Sequence, residues 1–349
     1  MEIMNGTELN TNLLGQEEIV IDLEKIRNAG KIYLENSGAT ILDAGDGIGI
    51  IEFHTKANAL NNEICEIITN GCEKGSKEFR GLVIGNTGRH FSAGANLAFI
   101  LDTARSGKWS ILENTILNLQ QATMSLKLSP VPVVAAPFSN ALGGGCEVCL
   151  HSAFVVVSSE THMGLVEAGV GLIPAGGGTK ELTVRAFTRA DQACVPNEQM
   201  LMQVAENILK AKVSRNGEEA KDIFLNHNDL IVPVPASPTG VAKTAAIILS
   251  ESYTVKKMRN DIPVFGRNSF TAFDEKIESA IESKTMTVHD ARIAGHIANI
   301  VCGGDRMGGF ASEQHFLDLE RHAFLSLLGT KETQQRIAYL LANNKPLHN

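Results

Sequence analysis

The sequence predicts an α/β fold, because short apolar runs alternate with loops and with segments of helical periodicity. A succession of strand, loop, helix and strand recurs between residues 41 and 159, which is typical of a sheet covered by helices. From about Ala236 onward the segments are mostly helical. With 349 residues, 44% of them hydrophobic and 20% charged, the chain can form a full core in one large domain or two smaller ones.

A strand and a helix open the α/β part. GIGIIEFH (47–54) alternates and is rich in β-branched residues, as half-buried strands are. The next segment predicts a helix, because Asn61 or Asn62 can cap it and the isoleucines within 64–68 share one helical face.

The later elements repeat this pattern. Short apolar runs predict strands at 81–86, 131–137, 154–159 and 229–235, and helical periodicity predicts helices at 109–128, 143–153, 175–187, 199–212, 216–226, 313–329 and 331–346. SPTG (237–240) predicts a linker. We therefore expect an N-terminal extension over 1–40, a core over 41–235 and a C-terminal helical region over 236–349.

Composition excludes several classes of protein. The net charge of −8 argues against nucleic acid as the main partner. No apolar stretch approaches the roughly 18 residues of a membrane span, and the first residues do not resemble a secretory signal. The six cysteines are spread out, so we expect a reducing cytoplasm rather than a disulfide framework. Cys146 and Cys149 form a C-x-x-C without a second pair, which favours buried helix residues over a metal or redox site.

Three consecutive glycines, Gly143 to Gly145, precede an acid in ALGGGCEVCL (141–150). A helix that begins there points unpaired N–H groups and the positive end of its dipole at whatever lies before it. Such an anion hole suits a carbonyl oxygen that becomes negative during a reaction. The alternative is that the glycines only allow close packing of the helix on the sheet.

A second loop strengthens the first interpretation. RHFSAGANL (89–97) also follows a buried strand and is also rich in small residues. A peptide N–H near Ala95 can face the one near Gly144, and two such donors form an oxyanion hole. Losing one donor of this kind typically costs about 3–4 kcal/mol of transition-state stabilisation.

Two glutamates complete the predicted constellation. Glu167 lies in an apolar, glycine-rich segment, 20 residues after Glu147, with one predicted strand between them. A lone glutamate is more often a helix cap or an ion-pair partner. One helix, one strand and one turn can, however, bring the two acids together over the two amides. In an apolar pocket one of them should have its pKa raised above roughly 4.3, so that the pair can exchange protons with a water.

Four segments together resemble the crotonase superfamily, the enoyl-CoA hydratases and isomerases. They are IGIIEFHTKANALNNE (48–63), HFSAGANL (90–97), ALGGGCEVCL (141–150) and GLVEAGVGLIPAGGGTKELT (164–183). The resemblance covers roughly residues 45–235, and the two last predicted helices resemble that family's closing helices. The chain is most similar to the hydratase half of fused bacterial 3-hydroxyacyl-CoA dehydrogenase/enoyl-CoA hydratase proteins, and residues 1–40 resemble the end of what precedes that half.

The resemblance implies a spiral of ββα units with C-terminal helices that help to form trimers and hexamers. It implies Ala95 and Gly144 as backbone donors to a thioester oxygen, and Glu147 and Glu167 as the two acids. By the same resemblance, substrate or CoA contacts fall on Lys56, Ala57, Ala59, Leu60, Ala93, Gly94, Asn96, Leu97, Gly143, Pro174 and Gly176. Asn96 departs from the family, which usually has Asp there.

The implied function is hydration of a 2-enoyl-CoA in fatty-acid β-oxidation, with no metal or bound redox cofactor because CoA arrives with the substrate. Two alternatives stay open: a Δ3,Δ2-enoyl-CoA isomerase, and a non-catalytic crotonase-fold partner of a 3-hydroxyacyl-CoA dehydrogenase. The resemblance also implies such a dehydrogenase as a partner or as a fused domain. His90 lies beside the loop of small residues and His151 lies one helical turn after Glu147, so either can contact substrate. A surface histidine, or a buried one with hydrogen-bond partners, is the commoner case. Neither G-x-S-x-G nor H-E-x-x-H occurs, and GDGIGI (45–50) precedes a strand rather than a helix.

Overall fold

The computed structural model describes residues 20–194, 196–234, 237–266, 271–306 and 308–349. Its strands are β1 (Ile32–Glu35), β2 (Ala39–Asp43), β3 (Ile48–Phe53), β4 (Gly81–Ile84), β5 (Val133–Ala135), β6 (Asn140–Leu142), β7 (Phe154–Ser158), β8 (His162–Gly164), β9 (Leu230–Val232), β10 (Ile262–Pro263) and β11 (Phe310–Ala311).

Its helices are α1 (Leu23–Asn28), α2 (Asn62–Glu73), α3 (Leu97–Arg105), α4 (Trp109–Lys127), α5 (Gly144–His151), α6 (Gly178–Ala193), α7 (Asn197–Leu209), α8 (Gly217–Ile223), α9 (Pro238–Ser250), α10 (Thr271–Glu282), α11 (Val288–Val301), α12 (Glu313–Leu328) and α13 (Lys331–Asn343). Short 3₁₀ turns lie at Lys56–Asn58, Gly75–Lys77 and Glu167–Val170.

The elements predicted from local pattern are confirmed. Helix α2 begins where expected, because the side-chain oxygen of Asn61 accepts a hydrogen bond from the N–H of Ile64 at 2.9 Å. Its isoleucines are buried, as one apolar face requires. All residues of β3 and β4 are buried, which explains why the second of these strands reads as a continuous apolar run rather than an alternating one.

The described strands form three sheets: a mixed sheet of seven strands, a parallel pair and the antiparallel pair β10-β11. The large sheet has the order β1-β2-β3-β4-β5-β7-β9, in which β1 to β3 pair antiparallel and β3 onward pair in parallel. Strands β6 and β8 form a separate parallel pair. The consecutive pairs β5-β6 and β7-β8 therefore each contribute one strand to each sheet, with α5 between them. This is the expected ββα repeat, and the predicted α/β class is confirmed.

Helix α9 packs on the large sheet, which corrects one prediction. The linker predicted at 237–240 is wrong, because Pro238 to Gly240 are the first residues of α9. Proline is well tolerated in the first helical turn, where its missing N–H costs nothing. The helix places its small residues against the sheet: a Cβ built on Gly81 of β4 would lie 3.2 Å from the Cβ of Ala246.

Contacts divide the chain into two compact units, whose segments alternate along the sequence. The first unit comprises residues up to 95, 121–164 and 213–257, and the second comprises 96–120, 165–212 and 258–349. The first unit holds the large mixed sheet, the parallel β6-β8 pair and α9, and the second is mostly helical. These units do not follow the predicted linear boundaries. Residues 1–19 of the predicted extension, and the boundary at 235–236, lie outside the described residues, whereas β1 belongs to the large sheet.

Candidate active site

Two of the predicted substrate-contacting segments pair with each other in the first unit. The N–H of Ala93 donates to the carbonyl of Ala57 at 3.1 Å, and the N–H of Leu60 donates to the carbonyl of Gly94 at 2.8 Å. Gly94 has a φ of +90°, and a Cβ on it would lie 3.1 Å from the carbonyl oxygen of Leu142. Only glycine adopts this conformation at so close an approach.

Asn58 and Ser92 hold this pair of segments together, and the sequence did not single out either residue. The side-chain amide of Asn58 donates to the carbonyls of Thr87 and His90, at 3.0 and 2.9 Å. The hydroxyl of Ser92 donates to the carbonyl of Asn58 at 2.8 Å. Asn58 itself has a φ of +52°, a conformation in which asparagine is enriched. An asparagine between Ala57 and Ala59, in a segment predicted to contact substrate, was the available signal.

Helix α5 begins directly against this loop. Gly143 has a φ of +52° and donates its N–H to the carbonyl of Gly164 at 2.8 Å. A Cβ on Gly144 would lie 2.7 Å from Cδ1 of Leu60, and one on Gly145 would lie 2.6 Å from the Cβ of Ser92. Because a Cβ atom cannot come that close, Gly144 and Gly145 are required for this packing of the helix start against the loop.

The backbone donors predicted at Ala95 and Gly144 lie on these adjoining segments. Among the described residues, neither of their N–H groups has a hydrogen-bond acceptor. Gly144 is the first residue of α5, where an N–H has no intrahelical partner and forms part of the positive end of the helix dipole. The two groups are therefore donors that are available for an oxygen carrying negative charge.

Glu147 lies one turn into α5 and is 1% exposed. Its carboxylate points back toward the start of the helix, because its Oε2 lies 3.9 Å from the position a Cβ on Gly144 would occupy. Helical side chains lean toward the N-terminus, so the spacing of three residues is what brings the acid back to the start of the helix at Gly144. The predicted helix, the glycines at its start and its acid therefore all lie in the first unit.

Glu167 belongs to the second unit, so its convergence with Glu147 stays a prediction. It begins the 3₁₀ turn Glu167–Val170 and is half-buried. The turn is closed on itself: the N–H of Leu172 donates to the carbonyl of Glu167 at 3.0 Å, and that of Gly171 donates to the carbonyl of Ala168 at 3.1 Å.

The other predicted substrate contacts differ in exposure. Lys56, Ala57, Ala93 and Asn96 are exposed, Ala59 and Leu97 are half-buried, and Leu60, Gly94, Gly143, Pro174 and Gly176 are buried. Asn96, the departure from the family pattern, caps α3 by accepting a hydrogen bond from the N–H of Phe99 at 3.1 Å. An asparagine serves this purpose as well as an aspartate does.

The glycine-rich start of α6 is occupied by a carboxylate of the second unit. Glu320 of α12 accepts hydrogen bonds from the N–H groups of Gly177, at 2.8 Å, and Lys180, at 2.6 Å. Lys180 is fully buried and contacts Glu181 at 2.6 Å and Glu313 at 2.9 Å. The first turn of α6 therefore has its own internal anion.

Both candidate histidines have partners of their own. His151 donates from Nδ1 to the carbonyl of Glu147 at 2.7 Å, and the Nδ1 of His90 accepts from the side-chain amide of Asn140 at 3.1 Å. Cys146 and Cys149 are fully buried on α5. Within the described residues there is no cluster of three histidine, cysteine or acidic side chains suited to a metal ion. Nor does any helix in that part of the chain combine the length and apolar character needed to cross a membrane.

Comparison with known proteins relates this site to a family. The family model described as Enoyl-CoA hydratase/isomerase matches residues 43–208. The chain is 36% identical over 331 residues to a protein of Bacillus subtilis (strain 168) named "Probable 3-hydroxyacyl-CoA dehydrogenase", covering 94% of this chain and 41% of that protein. It is also 30% identical over 131 residues to the "Short-chain-enoyl-CoA hydratase" of Clostridium acetobutylicum, covering 36% of this chain and 48% of that protein.

A solved structure shares the fold of this chain. The crystal structure of an enoyl-CoA hydratase from Bacillus halodurans superposes with a TM-score of 0.59 at 15% identity, over 87% of this chain and all of that one. The chain spans less than half of each curated relative described above. The enoyl-CoA hydratase/isomerase family, part of the crotonase superfamily, is therefore the family that residues 43–208 of this chain match, and the fold agrees with that match.

Proposed function

We propose that this chain is an enoyl-CoA hydratase, which adds water across the 2,3 double bond of a 2-enoyl-CoA. The observation that carries the proposal is the approach of the loop ending at Ala95 to the start of the helix that bears Glu147. Two available N–H donors and a buried acid on adjoining segments provide the elements needed to enolise a thioester. The second acid, Glu167, favours hydration, because family members of other activity often lack one of the two.

In the proposed reaction the thioester carbonyl accepts hydrogen bonds from the N–H groups of Ala95 and Gly144. As the oxygen of water bonds to the β-carbon, the electrons of the double bond move onto that carbonyl as an enolate, which the two donors stabilise. Glu147 removes the proton from the attacking water and Glu167 delivers a proton to the α-carbon. The residue types also permit the opposite division of these two roles.

The substrate brings CoA with it, so the proposed reaction needs no metal and no bound redox cofactor. The paired segments around Leu60 and Gly94 are the proposed contacts for CoA. The name of the Bacillus subtilis relative, and the short share of it that this chain covers, support a 3-hydroxyacyl-CoA dehydrogenase as a partner or as a fused domain. Such a dehydrogenase would consume the 3-hydroxyacyl product. Assembly into trimers or hexamers is part of the proposal.

The test is hydration of crotonyl-CoA, followed by the loss of absorbance of the conjugated thioester. Glu147→Gln and Glu167→Gln should each lose most of their turnover while substrate binding persists, because the groups that position the thioester remain. The matched control is Glu160→Gln, which changes an exposed acid on the same stretch of chain and should leave the rate unchanged. Full activity in both acid variants would refute the proposal.

The same assay separates the two alternatives. With ¹⁸O-labelled water, a hydratase incorporates the label into a 3-hydroxyacyl product, whereas a Δ3,Δ2-enoyl-CoA isomerase converts a 3-enoyl substrate without taking up any oxygen. A non-catalytic partner of a dehydrogenase turns over neither substrate. A series of acyl chain lengths then defines the preferred substrate.

A further inference from the structure

We infer that Thr333 of α13 is a positioning residue for Glu167, acting through the carbonyl of Gly171. This inference deepens the proposed function and rests on it. The hydroxyl of Thr333 donates to the carbonyl oxygen of Gly171 at 2.7 Å. Gly171 follows the 3₁₀ turn and, with Leu172, closes that turn by hydrogen bonds to its first residues. This Thr333–Gly171 hydrogen bond, the anchor of the Glu167 turn, therefore acts on the backbone from which the side chain of Glu167 projects.

The anchor is close enough to leave the turn little freedom. Gly171 has a φ of +82°, and a Cβ on it would lie 2.9 Å from Oγ1 and 3.1 Å from Cα of Thr333. Helix α13 thus packs directly against the backbone of Gly171. A side chain at that position would force the helix and the turn apart.

The direction of the Thr333 hydroxyl is fixed as well as its position. A hydroxyl has a single proton, which goes to Gly171, so its oxygen must accept from any further partner. That partner is Nε2 of His289, at 2.8 Å. Thr333 is fully buried and His289 is 4% exposed, so water does not compete for either bond. The network therefore has one consistent hydrogen-bond direction, from His289 to Thr333 to Gly171.

Arg336, one turn after Thr333, holds α13 in place. It is 1% exposed and donates to Asp290 at 2.7 Å and to the hydroxyl of Thr287 at 3.2 Å. Its Nε also donates to the side-chain oxygen of Asn349 at 2.8 Å. These bonds tie α13 to the start of α11, where His289 also lies. The anchor of the Glu167 turn is therefore itself supported by an ion pair between buried Arg336 and half-buried Asp290.

The sharpest variant is Thr333→Val, which keeps the shape of the side chain and removes only the hydroxyl. A misplacement of reacting groups by about 1 Å can cost roughly a hundredfold in rate. We expect kcat for crotonyl-CoA hydration to fall roughly ten- to hundredfold in this variant, with KM within about twofold. Thr333→Ser, which restores the hydroxyl, should recover most of the rate.

The matched control is Thr183→Val. Thr183 is also fully buried in the second unit, but its hydroxyl donates to the carbonyl of Thr179 within its own helix, at 2.8 Å. This variant loses a buried hydroxyl without touching the Glu167 turn, so its kcat should stay near that of the wild type. An equal fall of kcat in both variants would mean that Thr333 matters only for general stability, and would overturn the inference.

A double variant gives the readout that a merely structural role would not produce. If Thr333 acts through Glu167, adding Thr333→Val to Glu167→Gln should leave the residual rate of the single glutamine variant unchanged. Multiplication of the two losses contradicts the inference. Should Thr333→Val fail to fold, Thr333→Cys, with its weak thiol donor, takes its place in the same comparison with Thr333→Ser.

The outcomes keep the two proposals apart. A wild type that hydrates no enoyl-CoA, or that does not depend on Glu167, refutes the proposed function and the inference with it. A wild type that depends on Glu167 but is indifferent to Thr333→Val refutes the inference alone.

Discussion

Gly145 and Ser92 approach so closely that a Cβ on the glycine would lie 2.6 Å from the serine Cβ. The serine cannot move away, because its backbone is hydrogen-bonded on both sides. Its N–H donates to the carbonyl of Asn140 at 3.0 Å, and its carbonyl accepts from the N–H of Leu142 at 3.0 Å. Gly145→Ala should therefore push α5 from the loop that carries Ala95. We expect a loss of about 1–3 kcal/mol in the free energy of unfolding and a fall in hydration rate.

Gly295→Ala is the control for this prediction. Gly295 lies inside α11, and a Cβ on it would meet nothing within 4 Å. In an open helical position alanine is better than glycine by about 1 kcal/mol, so this variant should be as stable as the wild type or more so. Urea unfolding of both variants, with their enoyl-CoA hydration rates, makes the comparison. Equal stability of the two variants would contradict the packing argument.

The buried cation at Lys180 should be essential for the stability of the second unit. Burial opposes its charge, but the carboxylates of Glu181 and Glu313 raise the pKa of Lys180 above its usual range. Lys180→Met removes the cation from between two buried acids, which typically costs about 3–5 kcal/mol. The measurement is the urea midpoint of unfolding.

Lys210→Met is the matched control for Lys180. Lys210 is exposed and contacts Glu206 at 3.2 Å on the surface of α7, an interaction worth at most about 1 kcal/mol. Its loss should move the midpoint little. Similar shifts in the two lysine variants would show that the buried cluster contributes no more than a surface pair.

The stability of the protein should depend on pH through His289. Burial, followed by the charge of Arg336, lowers the pKa of His289 below its usual value. Its other charged neighbours are Glu332 and Asp290, which raise the pKa, and Arg292, which lowers it. Because the unfolded state then binds the proton more readily, stability is complete above about pH 6.5 and falls as the pH drops below it.

The variant His289→Gln isolates this effect, since glutamine keeps a donor for Thr333 but does not titrate. The free energy of unfolding should fall less between pH 7 and 5.5 in the variant than in the wild type, while other titrating groups contribute equally to both. Parallel pH dependences would show that His289 is not the group responsible.

Asn58 should be required for the loop that carries Ala95. Asn58→Asp presents a carboxylate to the carbonyls of Thr87 and His90 in place of two N–H donors, and losing buried hydrogen bonds of this kind costs about 1–3 kcal/mol. We expect lower stability and a lower kcat for crotonyl-CoA. The same change at exposed Asn228 is the control and should alter neither quantity. An unchanged kcat in Asn58→Asp would show that Asn58 does not support this loop.

The sequence determined most of the α/β part, because local pattern and packing agree there. Apolar runs predicted β4, β5 and β7, and asparagine with an isoleucine face predicted α2. The three glycines before Glu147 predicted the start of α5 and its available amide. These signals are short-range, since a helix cap, a strand and a glycine at positive φ each depend on neighbours within a few residues.

Tertiary structure decided what those local signals could not. SPTG resembles a linker in isolation, yet it starts α9, because the small residues that follow pack on the sheet. Asn58 and Ser92 hold the oxyanion loop, and Thr333 holds the turn of Glu167, through bonds to residues distant in sequence. These hydrogen-bond partners are separated by more than 30 or 160 positions in the sequence. Which residues meet at such separations depends on how the chain folds back, and hydrophobic periodicity carries no information about that.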